Sequence, residues 1–467
     1  MSVRQLPVSA PSAEGVDATG VLAFVDALDG APDIEPHSLM ILRHGKLVAS
    51  GWWAPYAADR PHLLYSLSKS FTSTALALAV GEGLVRLDDP VLSHFPEFEA
   101  DITDPRSRSM LVRHTASMAS GHTEETVDRA LALDRQELVR GFLLVPPEQE
   151  PGSVFAYNQP ATYALAAIVQ KLSGQSLTGY LRSRLLDPLG AGDVSWLRDR
   201  AGRQLGFSGL HATTDVIARL GQLYLQDGVW EGERLLPPGW VAEATRAHVA
   251  TPEGGWPDWG QGYGFQFWMG RHGYRGDGAY GQFCLVLPEQ DAVIAITSDT
   301  DQMQQVLTLA WRHLLPAFTD GPLSGRDDEE AALTERLAGL ALAPAPGESV
   351  PTKASFTPDG GVRTERPRLT DVEVTEDGRL TLVEDGHRLE LRFGGPGWTV
   401  TDAPVPAAVS GGWTGPDTLE LDVILLETPH HLLLTCSLAD GTFTARWRTQ
   451  PLHNAPLRAM RAPRDSG

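Results

Sequence analysis

Residues 66–83, SLSKSFTSTALALAVGEG, constrain the fold more than any other stretch of this chain. Phe71, Ala75, Leu78 and Ala79 recur at helical spacing, and Gly81-Glu82-Gly83 supplies the stop. A helix so rich in Ala and Leu is expected to be buried. That places Ser66 and Lys69, one turn apart on one face, at the N-terminal end of a core helix. Lysine is scarce here: of 38 basic residues only Lys46, Lys69, Lys171 and Lys353 are Lys. Arg stays protonated, whereas a buried Lys can lose its proton and act as a base near neutral pH. A Ser nucleophile needs such an amine to take its proton. The free N–H groups and positive dipole end of a helix N-terminus favour a developing anion beside it. A Ser and a Lys on a solvated helix face give the same spacing, so the surrounding sequence has to decide.

A length of 467 residues exceeds one ordinary core, so two domains are expected, one of them large. Ser38 to Ser50 reads as a hairpin turning at Arg43-His44-Gly45-Lys46. Helices follow at about 160–173, 176–186 and 214–226. Strands at 281–287 and 292–298, joined by Pro288-Glu289-Gln290-Asp291, precede a helix at about 303–315. Strand pairs at both ends with helices between predict an α+β domain over 10–318, an antiparallel sheet assembled from both termini and covered by helices. Residues 319–347 read as a helix and an Ala-Pro linker. From 348 to 460, short alternating runs about every ten residues predict an all-β module, barrel or sandwich, with Trp398, Trp413 and Trp447 in its core. That module is expected to shape substrate access or pair subunits and to leave the chemistry to 10–318.

The formal charge of −21 argues against a phosphate-binding surface, so no nucleic-acid partner is expected. Cys284 and Cys436, each inside an apolar run, are expected to be buried free thiols. The segment Met1 to Pro7 has no hydrophobic stretch and no run reaches 18 apolar residues, so a cytoplasmic location away from the membrane is expected. His114, His122 and His211 lack metal-ligand spacing, and no phosphate loop or dinucleotide fingerprint follows a strand. Neither a metal nor another cofactor is expected.

With Ser66-x-x-Lys69 heading a core helix, the chain resembles the serine β-lactamase and penicillin-binding-protein superfamily, nearest its class C-like branch. Leu64 to Thr72, Gly83-Leu84-Val85-Arg86-Leu87-Asp88-Asp89-Pro90, Met118-Ala119-Ser120-Gly121-His122, Pro188-Leu189-Gly190 and Gly209 to Thr213 carry that resemblance. It implies a β-lactamase/transpeptidase-like fold and a second catalytic element at Tyr157-Asn158-Gln159. There a Tyr157 phenol of lowered pKa would shuttle the Ser66 proton; a Tyr capping the next helix is the plainer alternative. Gln159 stands where the branch has Asn or Ser and is expected to bind substrate or Lys69. The third element, Lys-Thr-Gly or His-x-Gly, maps near Gly273-Tyr274-Arg275 and lacks its Lys. Arg275 or His272 would replace that cation, and Gly276 would lend an oxyanion N–H; His272 reads equally as a surface residue. The resemblance implies a serine hydrolase acting through an acyl-enzyme on a small-molecule ester or amide. The alternative is a non-catalytic penicillin-binding or sensing protein on the same fold. Assembly into a homo-oligomer is left open.

Overall fold

A computed structural model of the chain describes residues 4–252, 254, 256–348, 350, 352–360 and 368–464. Residues 1–3 of the N-terminal reading, and 361–367 within the expected β module, lie outside the described residues. The first domain is built on a six-stranded antiparallel sheet of β1 (Glu35–Arg43), β2 (Lys46–Trp52), β3 (Trp268–Gly270), β4 (Gly273–Gly278), β5 (Gln282–Leu287) and β6 (Ala292–Asp299). Its order is β2-β1-β6-β5-β4-β3, so strands from the two ends of the domain meet at its centre, as the sequence predicts.

The central strands are apolar on both faces, and each face has its own core. Leu39, Ile41, Phe283, Leu285, Ile294 and Ile296 pack under α1 (Ala18–Asp29) and the helix beginning at Met303. Met40, Leu42, Cys284, Val286, Val293 and Ala295 pack under α2 (Ser68–Gly81), α3 (Gln159–Ser173) and α4 (Thr214–Leu225). Helix α2 is buried from Ser68 to Ala79. Its hydroxyls do not oppose that burial, because neighbouring loops satisfy them. Ser70, Thr72 and Ser73 donate to the carbonyls of Gln266, Gly206 and Phe265, and Ser68 accepts from the Leu210 N–H.

One boundary differs from the sequence reading in a way that matters. Helix α2 starts at Ser68, and Ser66 lies in the preceding 3-10 turn, Tyr65–Leu67. Tyr65 has φ of 47°, a left-handed conformation that a residue with a Cβ rarely adopts. The kink lifts Ser66 out of the buried helix barrel to a partly exposed position.

The C-terminal sheet has nine strands over residues 354–447, antiparallel except where Ala354–Pro358 runs parallel to Thr442–Trp447. Its end strands, His387–Arg392 and Thr399–Thr401, approach each other, and the Arg392 N–H donates to Thr401 Oγ1 at 3.1 Å, nearly closing a barrel. Trp413 and Trp447 lie in its core, and both cysteines are buried free thiols. Trp398 does not join that core: its Nε1–H donates to the Leu342 carbonyl, and its ring packs on the first domain. The helix-and-linker stretch 319–347 is likewise anchored ahead of its Ala-Pro segment, with Leu333, Leu340 and Leu342 buried against the first domain.

Helix α4 approaches the sheet at Gly221, where an added Cβ would sit 2.6 Å from Val293 Cγ1 and 2.8 Å from Cys284 Sγ. Gly221→Ala is therefore expected to lower stability by about 1–3 kcal/mol through overpacking, read as a drop in the urea midpoint. An unchanged midpoint would show that the layer can spread at no cost.

Candidate active site

Lys69 is 1% exposed. Its Nζ lies 3.1 Å from Ser66 Oγ, 2.5 Å from Gln159 Oε1 and 2.8 Å from the Phe207 carbonyl. All three partners are neutral oxygens. Burial pulls the ammonium down to about 7, against Glu125 and Asp277, which favour the charged form. A neutral amine keeps two N–H donors and one lone pair. With Gln159 and Phe207 accepting the two donors, the lone pair is left for the Ser66 hydroxyl. Ser68 and Ser70, the neighbouring hydroxyls, are fully buried and already hydrogen-bonded, whereas Ser66 is partly exposed.

Tyr157 precedes α3 by two residues and lays its ring under Lys69, with Nζ 4.7 Å from the ring centroid. Its hydroxyl does not acquire the lowered pKa expected from sequence. Burial, with Asp277 adding, pushes it well above the usual phenol range, against a hydrogen bond to Ser66. Lys69, not Tyr157, is thus the group that can be deprotonated near neutral pH. Trp268 stacks on Tyr157 at 5.5 Å, continuing an aromatic wall through Tyr263 and Trp259.

Strand β4 runs beside the Ser66 turn. β3 pairs with it only from Gly273 to Arg275, so its edge is unpaired from Gly276 onward. Gly276 lies against Leu67 and Ser70, where a Cβ would come within 2.5 Å of Ser70 Oγ. Gly278 is the glycine beside the Ser66 turn, its Cβ position 2.1 Å from the Leu64 carbonyl and 3.0 Å from the Leu67 nitrogen. The next N–H, that of Ala279, has no acceptor among the described residues. The Ser66 N–H lies in the first turn of its 3-10 segment, where no intrahelical acceptor exists.

Arg275 is held inside the wall beside the cleft and is not open to it. It is 2% exposed, with Nε 3.0 Å from Asp277 Oδ2, Nη1 donating to the Asp258 carbonyl, and the guanidinium 4.3 Å from the Trp259 ring. His272 packs on Trp311 in the loop before β4. Asp277 is the β4 side chain that acts electrostatically on both Lys69 and Tyr157.

Sequence reasoning missed three groups. Glu125 accepts the N–H groups of Gln159, Thr126 and Val127 and sits near Lys69; burial raises its pKa. Asp277 and the Phe207 carbonyl are the others. Beside Phe207 opens a cavity of about 520 Å³, lined by Val127, Leu131, Leu138 and Leu205, with Arg135 and Arg200 among the lining residues. His114, His122 and His211 lie apart, their ring nitrogens held by backbone groups or Ser120. Among the described residues no cluster of three or more His, Cys, Asp or Glu is placed to hold a metal, and no helix is long and apolar enough to cross a membrane.

A family model described as Beta-lactamase matches residues 23–318. The chain is 26% identical over 292 residues to a 6-aminohexanoate-dimer hydrolase of Paenarthrobacter ureafaciens, covering 56% of this chain and 74% of that one. It is 27% identical over 288 residues to Penicillin-binding protein 4 of Amycolatopsis lactamdurans, covering 54% and 75%. The crystal structure of SurE with D-Leu superposes with a TM-score of 0.50 at 19% identity, over 93% of this chain and 99% of that one. That last likeness concerns the fold, and it extends through the C-terminal module.

Four lysines make a direct titration practical. Of the four ε-methylene signals in an NMR spectrum, one is expected to titrate near pH 7 and to vanish in Lys69→Arg. Gln159→Glu, which puts a carboxylate on Nζ, should raise that midpoint. Four signals that all titrate above pH 9 would show that Lys69 stays charged.

Proposed function

The chain belongs to the beta-lactamase family, and we propose that it is a serine hydrolase acting through an acyl-enzyme on an ester or amide. One observation carries the reading: a fully buried amine with a pKa of about 7 lies 3.1 Å from a partly exposed serine hydroxyl. In the proposed reaction Ser66 Oγ bonds to the substrate carbonyl carbon as its proton passes to Lys69 Nζ. The carbonyl oxygen becomes an oxyanion facing the N–H groups of Ser66 and Ala279. Ala279 takes the role expected of Gly276, because it follows the glycine that lies against the Ser66 turn. The bond to the leaving group then breaks, and that group leaves with the proton from Lys69, relayed by the Tyr157 hydroxyl, which stays protonated between transfers. Water, deprotonated by the same amine, attacks the acyl carbon, and Ser66 regains its proton as the acid departs.

The charges favour substrates without a carboxylate beside the scissile bond. Glu125 and Asp277 flank Lys69, while Arg275 is held by Asp277 and Trp259. An ester or amide without such a carboxylate suits this site better than a β-lactam does. The relation to a 6-aminohexanoate-dimer hydrolase is compatible with an amide substrate.

A fluorophosphonate is expected to add one equivalent, mapped by mass spectrometry to the Ser66 peptide and absent in Ser66→Ala. Lys69→Arg, which keeps the charge but cannot deprotonate, should slow acylation by about 10²-fold or more. Because the base works only when neutral, wild-type acylation should rise with pH through about 7. p-Nitrophenyl esters should be turned over faster than a chromogenic cephalosporin. Label on Ser68 or Ser70, or near wild-type acylation in Lys69→Arg, would refute these assignments.

A further inference from the structure

We infer that the C-terminal module is a working part of the active site, holding through two tyrosine hydroxyls the two backbone N–H groups that face the reacting carbonyl. The inference rests on the proposed function and goes beyond it, since the module was expected to leave the chemistry to the first domain.

The observation begins with two backbone conformations. Tyr65, the residue before Ser66, has φ of 47°, and Tyr280, the residue after Ala279, has φ of 67°. Both lie in the left-handed region that a Cβ disfavours, and such conformations persist only where the surroundings over-determine them. Tyr65 shares a peptide with the Ser66 N–H and so sets that donor directly, while Tyr280 anchors the turn that starts at Ala279 and so holds the second donor in place.

What holds them comes from the module. The Tyr65 hydroxyl lies 2.6 Å from His430 Nε2, and the Tyr280 hydroxyl donates to the Gln450 carbonyl at 2.6 Å. Both tyrosines are 4% exposed. Their rings meet edge-on at 5.1 Å, and the His430 ring lies edge-on to both, at 5.9 and 5.5 Å, with Trp447 behind it at 5.7 Å. The Leu63 N–H donates to the Glu427 carbonyl, so the strand leading into the Ser66 turn is tied to the same module loop. Mere docking of two domains would be served by apolar contacts anywhere on the junction. Here two phenols in contact with each other, each next to one of the two donor residues, reach the module.

His430, Tyr65 and Tyr280 are therefore positioning residues: they touch no reacting atom and act through the Ser66 and Ala279 N–H groups. A donor displaced by a fraction of an ångström loses contact with the oxyanion more than with the ground-state carbonyl. The loss should thus appear in turnover and in binding of tetrahedral mimics, and not in substrate affinity.

The test uses the full chain carrying Tyr65→Phe, Tyr280→Phe, His430→Leu, His430→Gln or the Tyr65→Phe/His430→Leu pair. Measured are kcat and KM for a p-nitrophenyl ester, the affinity for an arylboronic acid, and the melting temperature. Each Tyr→Phe variant, which keeps the ring, should lose about tenfold in kcat and in boronate affinity, with KM within about twofold. His430→Leu should match Tyr65→Phe, and the pair should be no worse than either, since both remove one contact. His430→Gln, whose amide oxygen can still accept, should recover much of the loss. Both Tyr→Phe variants retaining wild-type kcat and boronate affinity would overturn the inference. So would losses in which KM rises and the melting temperature falls in step with kcat. A wild-type protein inert to ester and fluorophosphonate would overturn the proposed function and this inference with it, whereas an active wild type with unaltered variants would overturn this inference alone.

Discussion

The site depends on burying one amine without giving it an ion pair. Lys69 touches a hydroxyl, an amide oxygen and a backbone carbonyl, and among the described residues no carboxylate lies in contact. Desolvation pushes the proton off, and Glu125 and Asp277, at longer range, resist it. The balance leaves the amine able to give up its proton near neutral pH. A contact carboxylate would fix the charge, and no acid nearby would let the amine lose its proton well below the range where a base is useful. The apolar faces that make α2 the centre of the fold also provide the low dielectric that sets this balance.

The scarcity of lysine then has a physical reading. Lys46 and Lys171 are largely solvated and Lys353 is exposed, which leaves Lys69 as the one buried lysine. Where the structure needs a buried cation that never releases its proton, it uses Arg. Arg275 pairs with Asp277 under Trp259, and Arg219 pairs with Asp215 while bonding the Leu189 carbonyl. The guanidinium keeps its charge in such places. Near Ser66 this separates two jobs that one residue type would confuse: Arg275 maintains a fixed wall, and Lys69 is the cation that can release its proton.

Much of this was legible in the sequence. The antiparallel plan, the hairpin at His44, the buried α2 and the spacing of Ser66 and Lys69 all follow from periodicity and turn residues, which are local. What escaped was set by tertiary contact. No local rule puts Tyr65 in a left-handed conformation, so Ser66 was read into the helix and not into the turn before it. The β4 register was legible only to within a residue or two because 273–278 holds three glycines, and the packing of Gly278 on the Leu64 carbonyl is what fixes it. Arg275 was read as facing the substrate because sequence cannot tell an open cation from one buried against its own i+2 neighbour, Asp277. Glu125 carries no motif; it is identified by the three N–H groups it accepts.

The domain junction fixes how the C-terminal module sits on the first domain. Its apolar contacts, Ala408, Ile424 and Leu426 in the core that includes Trp53 and Tyr56, would tolerate sliding. Its polar contacts would not. Glu35 is buried on β1, and although burial works against its charge, His431 and His37 hold it well below the usual carboxylate range. His431 Nδ1 lies 2.8 Å away and, against its own burial, is raised to about 9 by Glu35 and Asp422. A buried ion pair adds little net stability, but separating its members leaves two uncompensated charges, so it penalises every misaligned docking. His430 is the residue next to His431. Locking His431 onto the central sheet at Glu35 therefore fixes, one residue away, the imidazole that meets Tyr65, and the rigidity of the sheet is carried to the turn that holds Ser66.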